Sequence, residues 1–396
     1  MSWELVRMQD IFDISRGGSP RPINDYLTDQ ENGVNWIMIG DTKGGGKYIS
    51  KTAKKIKPEG VKKSRFVKEG DFLLTNSMSF GRPYILKTSG CIHDGWLVLS
   101  PVNENIHTDY FYYYLGSKEI KIILASKAAG AVVKNLNKDI VKNLKIPLPP
   151  LDQQKKIAAI LDAADAYRQK TKALITKYEE LTQSLFMDMF GDSDRFEQKL
   201  ISDIASDKKY SLSSGPFGSN LTSKHYTDTG VVILRGTNVT SGVLDLTKVK
   251  YVSESKAKEL KRSELTPGDV VVVAVGSSGK ALRIPDNLER AIMSQNFNKI
   301  TPNTNIVSAL YLQFCFNSQL VQNQFKKEMT DTVRTFLSLT KIKRVTIPVP
   351  PIELQNQFAE RVQAIQVQKT QAQASLVQAE DLFNSLLQRA FKGELS

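Results

Sequence analysis

The chain has 396 residues, 41% of them hydrophobic, which is enough for two or three domains with cores of their own. Lysine and arginine number 54 against 41 aspartates and glutamates, a formal net charge of +13 that favours a polyanionic partner. Two lone cysteines, Cys91 and Cys315, make neither a disulfide framework nor a zinc site, and no run of about 18 apolar residues predicts a membrane span. Met1-Ser2-Trp3-Glu4 runs straight into mixed sequence, so no signal peptide is expected and the cytoplasm is the expected compartment.

Residues 1–145 are mixed and turn-rich. Basic residues sit beside glycines and small polar residues in Arg16-Gly17-Gly18-Ser19-Pro20-Arg21, in Lys43-Gly44-Gly45-Gly46-Lys47, from Asn76-Ser77 to Arg82, and from Lys127 to Lys134. The run from Lys51 to Lys68 is rich in lysine, as suited to a phosphate-contacting face as to a merely solvated one. Lys68-Glu69-Gly70-Asp71-Phe72-Leu73-Leu74 reads as a Gly-Asp turn into a buried strand, and Tyr110 to Leu115 as an aromatic helix.

Residues 146–192 open with Ile146-Pro147-Leu148-Pro149-Pro150-Leu151-Asp152-Gln153-Gln154 and then become helical. Pro149-Pro150 cannot continue a strand ladder or sit inside a helix, and its fixed φ suits a first helical turn, so it forms a stiff joint. Asp152 falls in that first turn, where the helix dipole favours an anion. Ile160, Ala164, Tyr167, Thr171, Leu174, Tyr178, Leu181 and Leu185 are spaced alternately by four and three, which predicts a seam facing a second helix.

Residues 193–345 are again mixed, and 346–396 are again helical. The second half repeats the first. Ile347-Pro348-Val349-Pro350-Pro351-Ile352-Glu353-Leu354-Gln355 matches the first proline joint, and Leu265 to Val272 matches the Gly-Asp turn and strand. Gly230 to Gly236 resembles Gly33 to Gly40, Ser277-Ser278-Gly279-Lys280 matches Ser79-Phe80-Gly81-Arg82, and Tyr311 to Phe316 matches the aromatic helix. Ile365, Gln368, Ala372, Ser375, Ala379, Leu382 and Leu386 keep the seam spacing with smaller residues, so the two helices are expected to pair, each spanning roughly 60 Å. The apolar frame persists while the surface changes. The fold class is therefore α+β, with two similar mixed domains and an internal repeat.

No enzyme motif stands up. Gly215-Pro216-Phe217-Gly218-Ser219 lacks the lysine of a phosphate loop, and no Asn-Pro-Pro-aromatic tetrapeptide is present to hold a flipped adenine. His93, His107 and His225 show no metal-ligand spacing, so no metal is expected. What remains is recognition. Arginine can fork onto guanine and asparagine onto adenine, while lysine mainly supplies phosphate affinity. The candidate DNA contacts are Arg16, Arg21, Lys43, Lys47, Asn76, Ser77, Arg82 and Lys134 in the first half. Those in the second half are Ser219, Asn220, Arg235, Asn238, Ser277, Ser278, Lys280 and Arg334. A basic coiled-coil adaptor binding RNA or another polyanion is the alternative, disfavoured by the half-chain symmetry.

The two proline joints, each followed by a long helix and preceded by a variable domain with its Gly-Asp turn, resemble those of the DNA-specificity subunits of type I restriction–modification systems. The resemblance spans essentially the whole chain, with Leu354 departing from the usual pattern. It implies target-recognition domains at 1–145 and 193–345, and helical spacers at 146–192 and 346–396 that run antiparallel and set the distance between two half-sites of double-stranded DNA. It implies a non-catalytic chain that binds no cofactor. Two methyltransferase subunits carrying S-adenosylmethionine, and two motor–nuclease restriction subunits, would complete an adenine methyltransferase and endonuclease. The helix residues expected to meet these partners are Gln153, Gln154, Ile157, Tyr178, Leu185, Gln355, Phe358 and Leu386.

Overall fold

A computed structural model describes residues 3–42, 45–76, 81–128, 136–240, 243–276, 278–329 and 336–395. The chain divides into two compact units, Met1–Ala173 with Gln373–Ser396, and Leu174–Ala372. These cut across the four sequence segments, because each unit takes one mixed domain and part of both long helices. Among the described residues no helix is long and apolar enough to cross a membrane.

The first unit contains two five-stranded sheets. One orders Phe12–Arg16, Trp96–Pro101, Phe72–Thr75, Pro83–Leu86 and Tyr48–Ile49. The other orders Leu27–Thr28, Lys54–Ile56, Val34–Ile37, Gly90–Ile92 and Arg65–Val67. Successive side chains of a strand point to opposite faces, and the Trp96–Pro101 strand uses both. Trp96 and Val98 join Leu73, Tyr84, Ile37 and Ile92 in one core. Leu97 and Leu99 join Phe12, Phe72 and the aromatic helix Thr108–Gly116 in another.

The second unit repeats this plan with four-stranded sheets. Leu212–Ser214, Phe297–Ile300, Val270–Val273 and Ala281–Arg283 form one, and Lys250–Val252, Val231–Leu234, Ala291–Met293 and Glu264–Leu265 the other. Val271 and Val273 face one core, while Val270 and Val272 face the helix Ala309–Asn317 in another.

The matched sequence motifs take the same conformation. Asp71 accepts the Lys68 N–H at 2.9 Å and the Ser100 hydroxyl at 3.2 Å. Asp269 accepts the Thr266 N–H at 2.8 Å and the Thr301 hydroxyl. Gly70 and Gly268 beside them have φ of 90° and 85°, where a side chain is strained. The Thr75 N–H donates to the Arg82 carbonyl at 3.0 Å, and the Val273 N–H to the Lys280 carbonyl at 2.8 Å, so Arg82 and Lys280 are structural equivalents.

The long helices run Leu151–Phe190 and Ile352–Phe391. Each starts directly after a proline pair and a short strand. Lys145–Leu148 pairs antiparallel with Glu4–Arg7, and Thr346–Val349 with Glu197–Leu200. In the first unit Lys172 reaches Glu380 at 3.0 Å, and the Arg168 guanidinium lies 4.4 Å from the Phe383 ring centre. In the second, Lys369 reaches Glu179 at 2.8 Å and Phe186 packs on Phe358. Within each unit the numbering of one helix rises as the other falls, so the segments are antiparallel.

The seam differs from the sequence expectation by one residue at alternate positions. Ile160, Tyr167, Leu174 and Leu181 are between 41% and 54% exposed. The packed positions are Leu161, Arg168, Ile175 and Thr182, together with Ala164, Thr171, Tyr178 and Leu185 as expected. On the second helix Lys369 and Phe383 replace Gln368 and Leu382, and Leu382 is exposed. Arg168 qualifies because its long side chain can cover the Phe383 ring while its charge meets Asp165.

Candidate nucleic-acid interface

Each unit carries a groove at the carboxyl ends of two adjacent parallel strands. In the first, Val34–Ile37 runs parallel to Gly90–Ile92, with Ile37 opposite Ile92. In the second, Val231–Leu234 runs parallel to Ala291–Met293, with Leu234 opposite Met293. The chain leaves each pair through equivalent turns. The Met38 N–H donates to the Asp41 carboxylate at 2.7 Å, and the Arg235 N–H to the Asn238 side-chain oxygen at 3.1 Å. The Trp96 N–H donates to the His93 carbonyl at 3.2 Å, and the Phe297 N–H to the Ser294 carbonyl at 3.3 Å.

The first groove, a cavity of about 490 Å³, is lined by Arg21, Trp36, Met38, Lys54, His93 and Asp94 among others. Asp94 accepts the Ser19 hydroxyl at 2.9 Å and faces the well-exposed Arg21 guanidinium at 3.7 Å. Burial opposes its charge, but the Ser19 bond and nearby cations prevail and hold its carboxyl below the usual range. Burial pushes the His93 imidazole below its ordinary value, and the Gly95 N–H donates to Nδ1 at 2.9 Å.

The second groove, about 480 Å³, is lined by Tyr226, Arg235, Thr237, Ser294, Gln295 and Asn296 among others, with no acidic residue among the described residues. The Arg235 guanidinium donates to the Lys248 carbonyl at 2.9 Å. Its Nε and the Ser294 Oγ are buried with no partner among the described residues. Buried polar atoms without partners are uncommon, and two on one groove wall are open hydrogen-bonding capacity for a ligand.

The sequence candidates separate into three groups. Arg21, Arg82, Ser219, Asn220 and Lys280 are exposed, and Arg235 is half-buried in the groove. Arg16 is exposed and donates to the Asp94 carbonyl at 3.0 Å, and Ser278 donates to the Ala274 carbonyl at 3.1 Å. Lys47, Asn76 and Asn238 are corrections, being 8%, 2% and 2% exposed. Lys47 pairs with Asp109 and, at 2.6 Å, with Asp162. Burial opposes its charge, yet the two carboxylates outweigh that and hold the ammonium above its ordinary range. Asn76 donates to the Asp94 carbonyl at 2.8 Å, and Asn238 to the Asp245 carbonyl at 3.0 Å. Lys47 and Asn238 are held by internal partners, and the Asn76 amide nitrogen is likewise, while its side-chain oxygen is buried with no partner among the described residues. Lys43, Ser77, Lys134, Ser277 and Arg334 lie outside the described residues.

Four of the expected partner contacts are also corrected. Ile157 and Phe358 are fully buried core residues, and Gln154 and Gln355 are buried polar clasps. Gln153 is half-buried and donates to the Leu395 carbonyl at 3.3 Å. Tyr178, Leu185 and Leu386 are half-buried in the helix seams. Residues that sequence reading missed are His93, Asp94, Gln295 and Asn296. They carry no cluster of basic residues with glycines, and the clue was that each lies within three residues after a short apolar strand, Gly90–Ile92 or Ala291–Met293.

A family model for the type I restriction modification DNA specificity domain matches residues 1–183 and 220–375. The chain belongs to that family. It is 24% identical to the Type I restriction enzyme MjaVIII specificity subunit of Methanocaldococcus jannaschii, covering 92% of this chain and 86% of that one. It is 23% identical to the EcoBI specificity subunit of Escherichia coli, covering 100% of this chain and 86% of that one. The fold is similar to that of the S subunit of a type I system from M. genitalium, with a TM-score of 0.58, 16% identity, and coverage of 99% and 96% of the two chains. It is also similar to a chain solved in a study of complex assembly and conformational transition of the type I R-M system, with a TM-score of 0.62, 16% identity, and coverage of 100% and 98%. The two curated relatives are named as specificity subunits.

Proposed function

We propose that this specificity-family chain reads a two-part duplex DNA target, one half-site per unit, and scaffolds the methyltransferase and restriction subunits that act there. One observation carries the reading. The same groove is built twice on the same backbone frame, and among the described residues one lining holds an acidic residue and the other holds none. A repeated frame suits the repeating shape of duplex DNA, and a changed lining suits two different base sequences. The excess of 13 positive charges supplies phosphate attraction. Arg82 and Lys280, equivalent and exposed outside the groove linings, add phosphate contacts beside them.

The chain itself contributes recognition, and catalysis belongs to its partners. Two methyltransferase subunits, each carrying S-adenosylmethionine, dock on the long helices. Two motor–nuclease subunits join them, in the cytoplasm. The docking residues are the exposed apolar side chains that the helix seams leave outside, Ile160 and Tyr167 in the first unit and Leu174 and Leu181 in the second. Large apolar side chains exposed at a seven-residue interval suit a further helix.

The test is a map of methylated adenines in the host genome with and without this gene. A two-part motif that disappears with the gene supports the reading, and an unchanged methylation map rejects it. Inserting residues into the first long helix near Thr171–Thr176 should lengthen the unread spacer between half-sites, since specific reading heads must keep step with the DNA turn.

A further inference from the structure

The turns His93–Trp96 and Ser294–Phe297 correspond residue for residue. Each closes through an N–H to carbonyl bond between its last and first residues, at 3.2 and 3.3 Å. The third residue of each accepts from the end of a neighbouring strand, Gly95 from the Asn76 N–H at 3.0 Å and Asn296 from the Ala274 N–H at 2.7 Å. The fourth accepts from a glycine, Trp96 from Gly17 at 3.0 Å and Phe297 from Gly215 at 2.9 Å. Those glycines lie against the turn. A Cβ on Gly17 would sit 2.1 Å from the His93 carbonyl oxygen, and one on Gly215 would sit 2.0 Å from that of Ser294. The glycine-rich loops that looked like recognition loops in the sequence thus brace these turns from beneath.

The turns keep an aromatic residue at the fourth position and differ at the first three, and the second sets a carboxylate, Asp94, against an amide, Gln295. Both line their groove. One Asp94 oxygen accepts from Ser19, and the other lies 3.7 Å from Arg21, too far for a hydrogen bond, so it keeps its lone pairs for a donor. Gln295 is exposed, and its amide has no hydrogen-bond partner among the described residues. The braced backbone fixes where each side chain starts, and the Ser19 bond also orients the Asp94 carboxylate, which limits how far that group relaxes toward a wrong base.

We propose that Asp94 and Gln295 are base-reading residues for the two half-sites, Asp94 taking the exocyclic amino group of a cytosine and Gln295 the N6/N7 edge of an adenine. The proposal rests on the duplex-reading function above. An ionised carboxylate only accepts, and in the major groove the cytosine edge offers only its N4 donor. A carboxylate also repels phosphate, so Asp94 adds selection rather than general affinity. An amide both donates and accepts, matching adenine N7 and N6 together.

The experiment expresses the whole complex with Asp94→Asn or Gln295→Glu, each nearly isosteric, and maps methylated adenines. The expected result is relaxed or altered preference at one base pair of one half-site, with the other half-site and the spacer unchanged, and each variant affecting a different half. On synthetic duplexes that differ at single positions, discrimination at that pair should fall on the order of tenfold. That duplex assay also decides the case of a variant that methylates nothing. Unchanged discrimination at every position, or a loss spread evenly over both half-sites, overturns the proposal. Failure of the underlying function reads differently, because the unaltered complex would then yield no gene-dependent two-part motif.

Discussion

Gln154 and Gln355 close the same clasp in the two units. The Gln154 side-chain oxygen accepts the His107 N–H at 2.9 Å, while its amide donates to the Asn105 and Pro149 carbonyls at 3.0 and 2.9 Å. Gln355 accepts the Ser308 N–H at 2.8 Å and donates to the Ile306 and Pro350 carbonyls at 3.1 and 2.7 Å. Each clasp ties the start of a long helix to the entry of the aromatic helix that packs on it. Three otherwise unpaired backbone groups are satisfied by one buried side chain.

Replacing either glutamine by alanine should destabilise its own unit by about 2–4 kcal/mol, since three backbone groups, one in a buried bond and two in part-buried bonds, lose their partner. All three tryptophans, Trp3, Trp36 and Trp96, lie in the first unit. Gln154→Ala should therefore shift the denaturant transition followed by tryptophan fluorescence. Gln355→Ala should shift the far-ultraviolet dichroism and leave the fluorescence transition in place. Gln355→Glu should not rescue, because a carboxylate cannot donate to the two carbonyls.

His93 makes the first unit sensitive to mild acid. Burial lowers its folded pKa below the ordinary 6.5. Between those two values the unfolded chain binds the proton and the folded chain does not, so stability falls as pH drops through that window and is fully present above it. Tryptophan-monitored denaturation should show a lower midpoint at pH 5.5 than at pH 8. His93→Gln should flatten that slope. Asp94, whose carboxyl is held low, loses its contribution only in stronger acid.

Lys47 and Arg82 should behave in opposite ways. Lys47→Met leaves Asp109 and Asp162 without their cation and should cost about 1–3 kcal/mol of stability, reduced from a fully buried pair by the solvent around Asp162. It should leave the salt dependence of DNA binding unchanged. Arg82→Ala should preserve folding and weaken DNA binding, by about 1–3 kcal/mol at one base pair if it reads a base, or uniformly with a shallower salt slope if it holds a phosphate. Lys280→Ala should do the same for the other half-site. Binding unaltered by both changes would remove this turn from the interface.

The helix seam predicts a contrast between adjacent residues. Leu161 is fully buried and Ile160 is 41% exposed. Leu161→Ala should cost about 2–5 kcal/mol through cavity formation, and Ile160→Ala no more than about 0.5 kcal/mol. Ile160→Ala combined with Tyr167→Ala should instead weaken co-purification of the methyltransferase subunit. Equal destabilisation by the Leu161 and Ile160 changes would rule out this seam.

Sequence alone determined the internal repeat, the two proline joints, the Gly-Asp turns, the aromatic helices and the family. These are local or self-similar signals. A proline pair ends a strand wherever it stands, and a Gly-Asp turn needs only its own backbone and the strand that follows. The pairing of the two long helices was also legible from their shared four-three spacing. Tertiary structure decided which phase of that spacing packs, because Ile160 and Leu161 are equally apolar and only the neighbouring elements select between them. It decided that Lys47, Asn76 and Asn238 are internal, since the fate of a polar side chain depends on what the fold brings to it. For Lys47 that partner is Asp162 on a distant helix. It also brought Asp94 and Gln295 to matching places on two braced turns. No periodicity marks such residues, because their position comes from contacts with strands far away in sequence.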